Sequence, residues 1–144
     1  MTSSVPFNLP NFDLPAFVCA TLAEDMGPLN RDVTSESVIP AEAQFSGKMR
    51  SREEIVVAGL PIAAAFFRHL DPEMQIDLLV DEGQIVSAGA PLMALAGRAR
   101  AMLTAERSAL NIVQHLSGIA TMTRAYVDAI AGTGCTLLDT RKTI

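Results

Sequence analysis

The sequence predicts an α+β fold followed by the first elements of an α/β unit. In the first hundred residues, short runs with strand-like alternation are interspersed with runs of helical periodicity. Residues 98–131 are then helical in pattern almost throughout, and a short apolar run, Cys135–Leu138, follows. That run ends without a spacer in a charged cluster, Asp139–Lys142. Because ligands of α/β sheets bind beyond the carboxyl ends of the strands, the cluster is either a binding site or a strand end that solvates its charges.

Length and composition limit the class of protein. A chain of 144 residues with 49% hydrophobic residues is long enough for one domain with a core and hardly for two. We expect no signal peptide, because the first residues lack a basic region followed by an apolar run. The longest apolar stretch, Ile55–Phe67, contains Gly59 and Pro61 and is too short to span a bilayer. The spacing of Cys19 and Cys135 fits neither a zinc site nor a disulfide framework, so we expect a reduced, cytoplasmic compartment.

Charge is distributed unevenly along the chain, whose net charge is −5. Residues 1–97 contain 13 acidic and 5 basic side chains, a balance of −8, whereas residues 98–144 contain 3 and 6, a balance of +3. An acidic chain with 5% aromatic residues does not favour nucleic acid as a ligand. The basic last third suits a small anionic ligand better.

The front part is predicted to begin with a helix over Phe12–Met26. Asp13 is its expected N-cap and Gly27–Pro28 its stop, and residues 30–35 have the composition of a turn. The elements that follow are, in order, an edge or half-buried strand over Phe45–Arg52, a short buried strand over Ile55–Ala58, a helix over Ile62–Leu70 opened by Pro61, and a strand over Met74–Val80.

Two glycines six residues apart, Gly83 and Gly89, predict a tight hairpin, since an apolar pair lies between them and a strand follows. The pattern resembles half of a biotinyl- or lipoyl-type barrel that carries a modified lysine. Such a carrier needs a lysine at an exposed turn beside the hairpin. The chain has two lysines, Lys48 and Lys142, and neither is near Gly83–Gly97 in sequence. A structural hairpin is therefore preferred.

Residues 98–131 are predicted to form two helical pieces that meet at Ser117–Gly118. One face repeats large apolar residues at helical spacing, namely Leu103, Leu110, Val113 and Leu116. A second stripe is polar and consists of Thr104, Arg107, Asn111 and His115. It lacks the Glu and Lys residues of a solvated face, so it indicates a lined cavity or an interface, with a plain wet helix face as the alternative. For His115 itself we expect packing or hydrogen bonding.

Three motifs in the last forty residues resemble those of quinolinate phosphoribosyltransferase, also called nicotinate-nucleotide pyrophosphorylase (carboxylating). They are Glu106–Asn111, Leu116–Thr121 and Leu138–Thr143, in the order and spacing of that family. Weaker supporting matches are Asp32–Ser35, Val57–Gly59 and the glycine pair Gly83 and Gly89. The resemblance implies an N-terminal α+β sandwich related to the hammerhead and biotinyl-like folds over residues 1–112. Residues 113–144 would then begin an incomplete α/β barrel, with Cys135–Leu138 as an early barrel strand.

The resemblance also implies an activity and a set of site residues. The family condenses quinolinate with phosphoribosyl pyrophosphate to give nicotinate mononucleotide, pyrophosphate and CO2 in NAD biosynthesis, with Mg²⁺ accompanying the phosphoribosyl substrate. By this likeness, Arg141 clamps the dicarboxylate as a bidentate fork, and Arg107 reaches the site of the neighbouring subunit in a homodimer. Lys142 is the catalytic point charge near the reacting centre, and Thr140 adds a hydroxyl donor.

The sequence stops at Ile144, directly after the third motif, whereas the family's barrel supplies further basic residues and the acidic residues that face ribose and metal. We therefore expect residues 1–144 by themselves to be inactive, with no metal ligands among them. Two alternatives stay open. A relative with this fold could act on another substrate, or the chain could be a non-catalytic dimerisation or interaction module.

Overall fold

The computed structural model of the chain describes residues 10–140. Within that range it has the predicted α+β character, with four α-helices and five β-strands. In chain order the elements are α1 (Leu14–Met26), a 3-10 turn (Gly27–Leu29), α2 (Val33–Val38), β1 (Gln44–Arg50), β2 (Ile55–Val56), α3 (Leu60–Leu70), β3 (Gln75–Leu78), β4 (Ile85–Val86), β5 (Pro91–Arg98) and α4 (Ala99–Ala129).

The larger sheet is antiparallel and has the order β1-β5-β3. Strand β5 is central, with Leu92, Met93 and Leu95 buried on its way through the core. Strand β1 is an edge, as its mixed polar and apolar pattern predicts. The last residue of β5, Arg98, lies opposite Gln44 and leads directly into α4, so the sheet fixes where α4 starts.

The second sheet pairs β4 with β2, and the predicted hairpin at Gly83 and Gly89 is therefore wrong. Both glycines have positive φ, 80° and 82°, as tight turns require. The Gly83 amide donates to the Val57 carbonyl at 2.7 Å, and the Gly89 amide donates to the Ser51 carbonyl at 2.8 Å. The two turns thus dock on the earlier segment that contains β2, and β4 pairs there instead of with the strand that follows it.

Capping side chains explain where the first two helices begin. Asp13 accepts a hydrogen bond from the Ala16 amide at 3.0 Å, which confirms it as the N-cap of α1. Asp32 accepts one from the Ser35 amide at 3.0 Å and starts α2, in a stretch whose composition predicts a turn. A helix therefore begins within the predicted turn. The two are hard to distinguish in sequence because Asp and Ser favour both turns and helix N-caps, by the same side-chain bonding to backbone amides.

Helix α4 is one continuous helix of 31 residues, so the predicted break at Ser117–Gly118 is wrong. Its predicted apolar face is also partly wrong, because Leu103 is 44% exposed. The face that is buried is lined mostly by small side chains, namely Ala99, Ala101, Met102, Ala105, Ser108, Ala109, Val113 and Ser117. Small residues allow α4 to approach α3 closely. The expected domain division at residues 112 and 113 falls inside this helix and stays a prediction.

Two hydroxyl groups of α4 complete the hydrogen bonding of the β2 segment. The Ser117 hydroxyl accepts from the Ala58 amide at 3.0 Å and donates to the Ala58 carbonyl at 3.2 Å. The Thr121 hydroxyl accepts from the Val56 amide at 2.9 Å. Backbone groups that an adjacent strand would satisfy are bonded here by a helix face. Two residues of the second motif therefore have a structural role in this chain.

The turn before α3 is packed tightly against α4. Gly59 has φ +97°, and a Cβ built on it would lie 2.9 Å from Cδ1 of Leu116. The carboxylate of Glu82 accepts from the Gly59 and Leu60 amides at 2.8 and 2.9 Å, so it satisfies amides at the start of α3 that have no partner within the helix. Pro61 lies in the first turn of α3, as predicted. Helices α3 and α4 are thereby held in direct contact.

A buried carboxylate, Asp71, joins the end of α3 to the start of α4. It accepts from the Arg98 amide at 2.9 Å and lies 3.2 Å from the Arg98 Nε. The hydrogen bond from the Arg98 backbone amide, together with the Arg98 guanidinium, holds the pKa of Asp71 below its ordinary value. Gly97 is required beside it, since a Cβ there would lie 2.8 Å from the carboxylate oxygen.

The predicted strand over Cys135–Leu138 is wrong: residues 135–140 have no strand partner within residues 10–140. They form a tail without helix or strand after turns at residues 130–134. A strand needs a neighbour to bond its amides and carbonyls, and the described part of the chain supplies none at that place. Among residues 10–140, no helix is both long enough and apolar enough to cross a membrane.

Ser117→Ala is expected to lower the free energy of unfolding by about 1–2 kcal/mol, because it leaves the Ala58 amide and carbonyl without their partner. Urea unfolding followed by circular dichroism measures the change. Ser108→Ala, at the other buried serine of α4, controls for the gain in helix propensity. Equal stability of the Ser117 variant and the wild type would contradict this account of β2.

Asp71→Asn is expected to cost about 1–3 kcal/mol at neutral pH, because hydrogen bonds to a charged acceptor are lost in a buried site. The folded-state pKa of Asp71 lies below the ordinary 3.8, so its contribution is present above that value and is lost as pH falls through the folded pKa. The difference in free energy of unfolding between wild type and variant should therefore shrink as the pH is lowered. Unfolding at about pH 7 and about pH 3 tests this, with the exposed Asp77→Asn as control; a gap independent of pH would refute it.

Candidate functional site

A cleft of about 970 Å³ lies between the second half of α4 and the tail of residues 135–140. We call it the tail cleft. It is lined by Gln114, His115, Gly118, Ile119, Met122, Thr123, Tyr126, Val127, Leu137, Leu138, Asp139 and Thr140. Most of this lining is apolar, and the polar groups include the Asp139 carboxylate, the Thr140 hydroxyl and the His115 imidazole. Such a cleft can accept a flat apolar ring whose polar substituents meet the tail residues.

Of the sequence-predicted site residues, Thr140 is found in the tail cleft. Arg141 and Lys142 lie outside the described residues. Asp139 and Thr140, the first two residues of the predicted charged cluster, both line this cleft from the tail.

A second cleft, of about 590 Å³, lies between α2, the end of α1 and the first half of α4. We call it the α2 cleft. Its lining residues are Asp25, Met26, Arg31, Asp32, Val33, Thr34, Leu103, Thr104, Glu106, Arg107 and Leu110. Arg107 thus lies in a different cleft from Thr140. Helix α4 rises about 10 Å between Arg107 and Gln114, which is the first α4 residue lining the tail cleft.

Hydrogen bonds from α4 hold α2 in place beside Arg107. Thr104 donates its hydroxyl to the Asp32 carboxylate at 3.0 Å. The hydroxyl and amide of Ser35, followed by the Thr104 hydroxyl, lower the pKa of Asp32 by bonding its charged form. Arg100 donates to the carbonyls of Ile39 and Glu36, at 2.7 and 3.1 Å, and so bonds the C-terminal end of α2.

Both arginines that line the α2 cleft have a carboxylate partner within the chain. Arg31 pairs with Glu36, whose pKa it lowers, and the Arg107 Nε lies 3.3 Å from the Asp25 carboxylate. The side chain of Arg107 is nevertheless 77% exposed.

The described arginines of the basic last third are already paired or hydrogen-bonded within the chain. Each of these four arginines has a partner, since Arg98 pairs with Asp71, Arg100 with α2 carbonyls, Arg107 with Asp25 and Arg124 with Asp128. These partners come from tertiary packing or from the next helical turn.

The polar stripe predicted on α4 is divided between the two clefts. Thr104 and Arg107 line the α2 cleft, His115 lines the tail cleft, and Asn111 is exposed between them. The prediction of a lined cavity therefore agrees with three of the four residues. Asp25 was missed by the sequence reasoning. The available signal was its position in the last turn of α1, where a carboxylate is unfavourable without a nearby cation.

Comparison with known proteins identifies the family. The family model described as the N-terminal domain of quinolinate phosphoribosyl transferase matches residues 32–117. A probable nicotinate-nucleotide pyrophosphorylase [carboxylating] of Synechocystis is 45% identical over 122 residues, which are 85% of this chain and 40% of that protein. The chloroplastic nicotinate-nucleotide pyrophosphorylase [carboxylating] of Arabidopsis thaliana is 36% identical over 96% of this chain and 39% of its own length. The chain thus spans about 40% of the length of these curated relatives.

Solved structures give the same result for the fold. NadC from Streptococcus pyogenes superposes with a TM-score of 0.87 at 32% identity, covering 96% of this chain and 49% of that one. The nicotinate-nucleotide pyrophosphorylase from Francisella tularensis gives a TM-score of 0.86 at 36% identity, covering 95% and 48%. The family predicted from the sequence is confirmed by these matches. The chain belongs to the quinolinate phosphoribosyltransferase family, of which it contains the N-terminal domain.

Proposed function

We propose that the protein containing this chain transfers a phosphoribosyl group from phosphoribosyl pyrophosphate to quinolinate, with loss of CO2, to give nicotinate mononucleotide in NAD biosynthesis. The observation that carries this proposal is the family match over residues 32–117 together with the names of the relatives. The chain spans less than half of those relatives, so the activity is proposed for a protein of their length.

Thr140, Arg141 and Lys142 are proposed to bind the substrate at the rim of the tail cleft. Support comes from Thr140, which lines this cleft directly before the two cations in sequence. The apolar side of the cleft suits a pyridine ring, and a guanidinium fork suits its adjacent carboxylates. Lys142 is proposed as the catalytic cation, a mobile point charge that neutralises oxygen atoms as charge shifts during transfer and decarboxylation.

Arg107 is proposed to act in the site of a second subunit of a homodimer. Three features support this. Arg107 and Thr140 line separate clefts of one chain, Arg107 lies beside the Asp25 carboxylate in the α2 cleft, and the Arg107 side chain is 77% exposed. A guanidinium placed in this way reaches a dicarboxylate more readily on another molecule than in its own tail cleft.

Mg²⁺ is proposed to enter with phosphoribosyl pyrophosphate. Residues 10–140 contain no cluster of three or more His, Cys, Asp or Glu side chains that could hold a metal ion, so no step is assigned to a metal bound by them. The cytoplasm is the proposed location. Some relatives are named as chloroplastic or mitochondrial, and those names describe those proteins.

An interaction module is the second candidate for residues 1–144 used alone. The observation that favours it is the exposure of Ile119, Met122, Tyr126 and Leu138, since clustered apolar side chains in solvent favour association. A monodisperse assembly of the 144-residue chain without affinity for quinolinate would support this role. A related transferase acting on another substrate is the remaining alternative within the family.

Arg141→Ala is expected to reduce kcat/KM for quinolinate at least about 30-fold in a protein of the relatives' full length. Removing one partner of a desolvated charge pair costs about 2–5 kcal/mol, which is the basis of that figure. Arg124→Ala is the matched control, because Arg124 is an exposed arginine of α4 paired with Asp128 four residues later. Equal losses in both variants, or none in either, would argue against a clamp at Arg141.

Residues 1–144 by themselves are expected to show no turnover with quinolinate and phosphoribosyl pyrophosphate. The reason is that the chain spans about 40% of the length of its relatives, and that residues 10–140 contain no cluster of side chains that could hold a metal ion. A steady-state assay of pyrophosphate release with the purified chain tests this, with the full-length Synechocystis relative as positive control. Measurable turnover by the chain would overturn the expectation.

A further inference from the structure

The contact between Asp25 and Arg107 joins two elements that are far apart in sequence. Asp25 lies in the last turn of α1, and Arg107 lies two turns into α4. Their closest atoms, the Asp25 Oδ1 and the Arg107 Nε, are 3.3 Å apart. The Asp25 side chain is 28% exposed, against 77% for Arg107, so the carboxylate is the fixed member of the pair and the guanidinium the accessible one.

Helix electrostatics disfavour a carboxylate where Asp25 is found. The C-terminal end of a helix carries partial negative charge, which repels anions and attracts cations. Helix α1 has no basic residue in its last turn, so its own sequence offers Asp25 no compensation. Arg107 supplies the compensating charge from α4, which packs against α1.

The geometry of the pair leaves the binding end of Arg107 accessible. A guanidinium presents five N–H donors in a planar fork. Because the nearest contact of the carboxylate is with Nε, the edge formed by the two terminal nitrogens can face outward to a second anion. A side chain as long as arginine loses rotamer entropy on binding, and prior orientation reduces that loss.

We propose that Asp25 is a positioning residue that orients the exposed guanidinium of Arg107 toward a carboxylate or phosphate of the substrate bound by another subunit. This rests on the proposed function of Arg107. Asp25 does not touch the substrate in this proposal, and it acts through Arg107. Because the ion pair is partly exposed, we expect it to stabilise the fold little. Its expected effect is on the orientation of the Arg107 guanidinium.

The orientation is tested first in the 144-residue chain, without substrate. The {¹H}–¹⁵N heteronuclear NOE of the Arg107 Nε–H group is expected to fall in Asp25→Asn, because the guanidinium becomes mobile. Glu24→Gln, which neutralises the preceding carboxylate in the same turn of α1, is the control and should leave the NOE unchanged. An unchanged NOE in Asp25→Asn, with the Arg107 signal assigned, would overturn the proposal.

Kinetics in a protein of the relatives' full length then separate positioning from substrate contact. Asp25→Asn is expected to raise KM for quinolinate about three- to fivefold with kcat unchanged, which corresponds to the upper range for a partly exposed ion pair. Asp25→Glu, which keeps the charge, should restore part of that loss, and Glu24→Gln should behave as wild type. A simple stability defect would instead lower the melting temperature and the active fraction, and hence kcat.

Arg107→Ala distinguishes failure of the two proposals. If Arg107→Ala leaves KM unchanged, Arg107 is not a substrate contact and the proposed function of that residue is wrong. If Arg107→Ala raises KM but Asp25→Asn changes neither KM nor the NOE, Arg107 binds substrate without Asp25, and the positioning proposal alone is wrong.

Discussion

The close contact of α4 with the β2 segment is the constraint on which the rest of the structure depends. Strand β2 is two residues long, and the hydroxyls of Ser117 and Thr121 bond backbone groups that no long strand covers. These bonds require α4 to lie directly against that segment. The small side chains on the buried face of α4 and the missing side chain at Gly59 follow from the same requirement, since larger groups would hold the helix away.

That placement of α4 also determines where the described candidate site residues lie. The first half of the helix faces α1 and α2 and presents Arg107, whereas the second half passes the body and forms the tail cleft with residues 137–140. Because a helix is stiff, the two clefts remain separated along its axis. The proposal that Arg107 acts in the site of a second subunit rests on this separation.

Most of the secondary structure could be predicted because its signals are local. Asp13 caps α1, Pro61 lies in the first turn of α3, and β1 was expected as an edge. The errors concern partners distant in sequence. The apolar pair Ile85–Val86 pairs with β2 and not with the strand that follows it, and Cys135–Leu138 has a strand's composition without a neighbouring strand in the described chain. The sequence pattern indicates which residues suit a strand, whereas the pairing of that strand depends on which other segments lie beside it in the folded chain.

The amino-acid sequence by itself determined the α+β class, the family and the candidate residues Arg107, Thr140, Arg141 and Lys142, because motifs and local periodicity are properties of neighbouring residues. Tertiary structure decided that Arg107 and Thr140 line separate clefts and that Arg98, Arg100 and Arg107 find their partners on other elements of the fold. It also decided that the motif residues Ser117 and Thr121 hold the fold together. The physical reason is that hydrogen bonds and ion pairs depend on distance in space, and residues 25 and 107 or 58 and 117 become neighbours only when the helices pack.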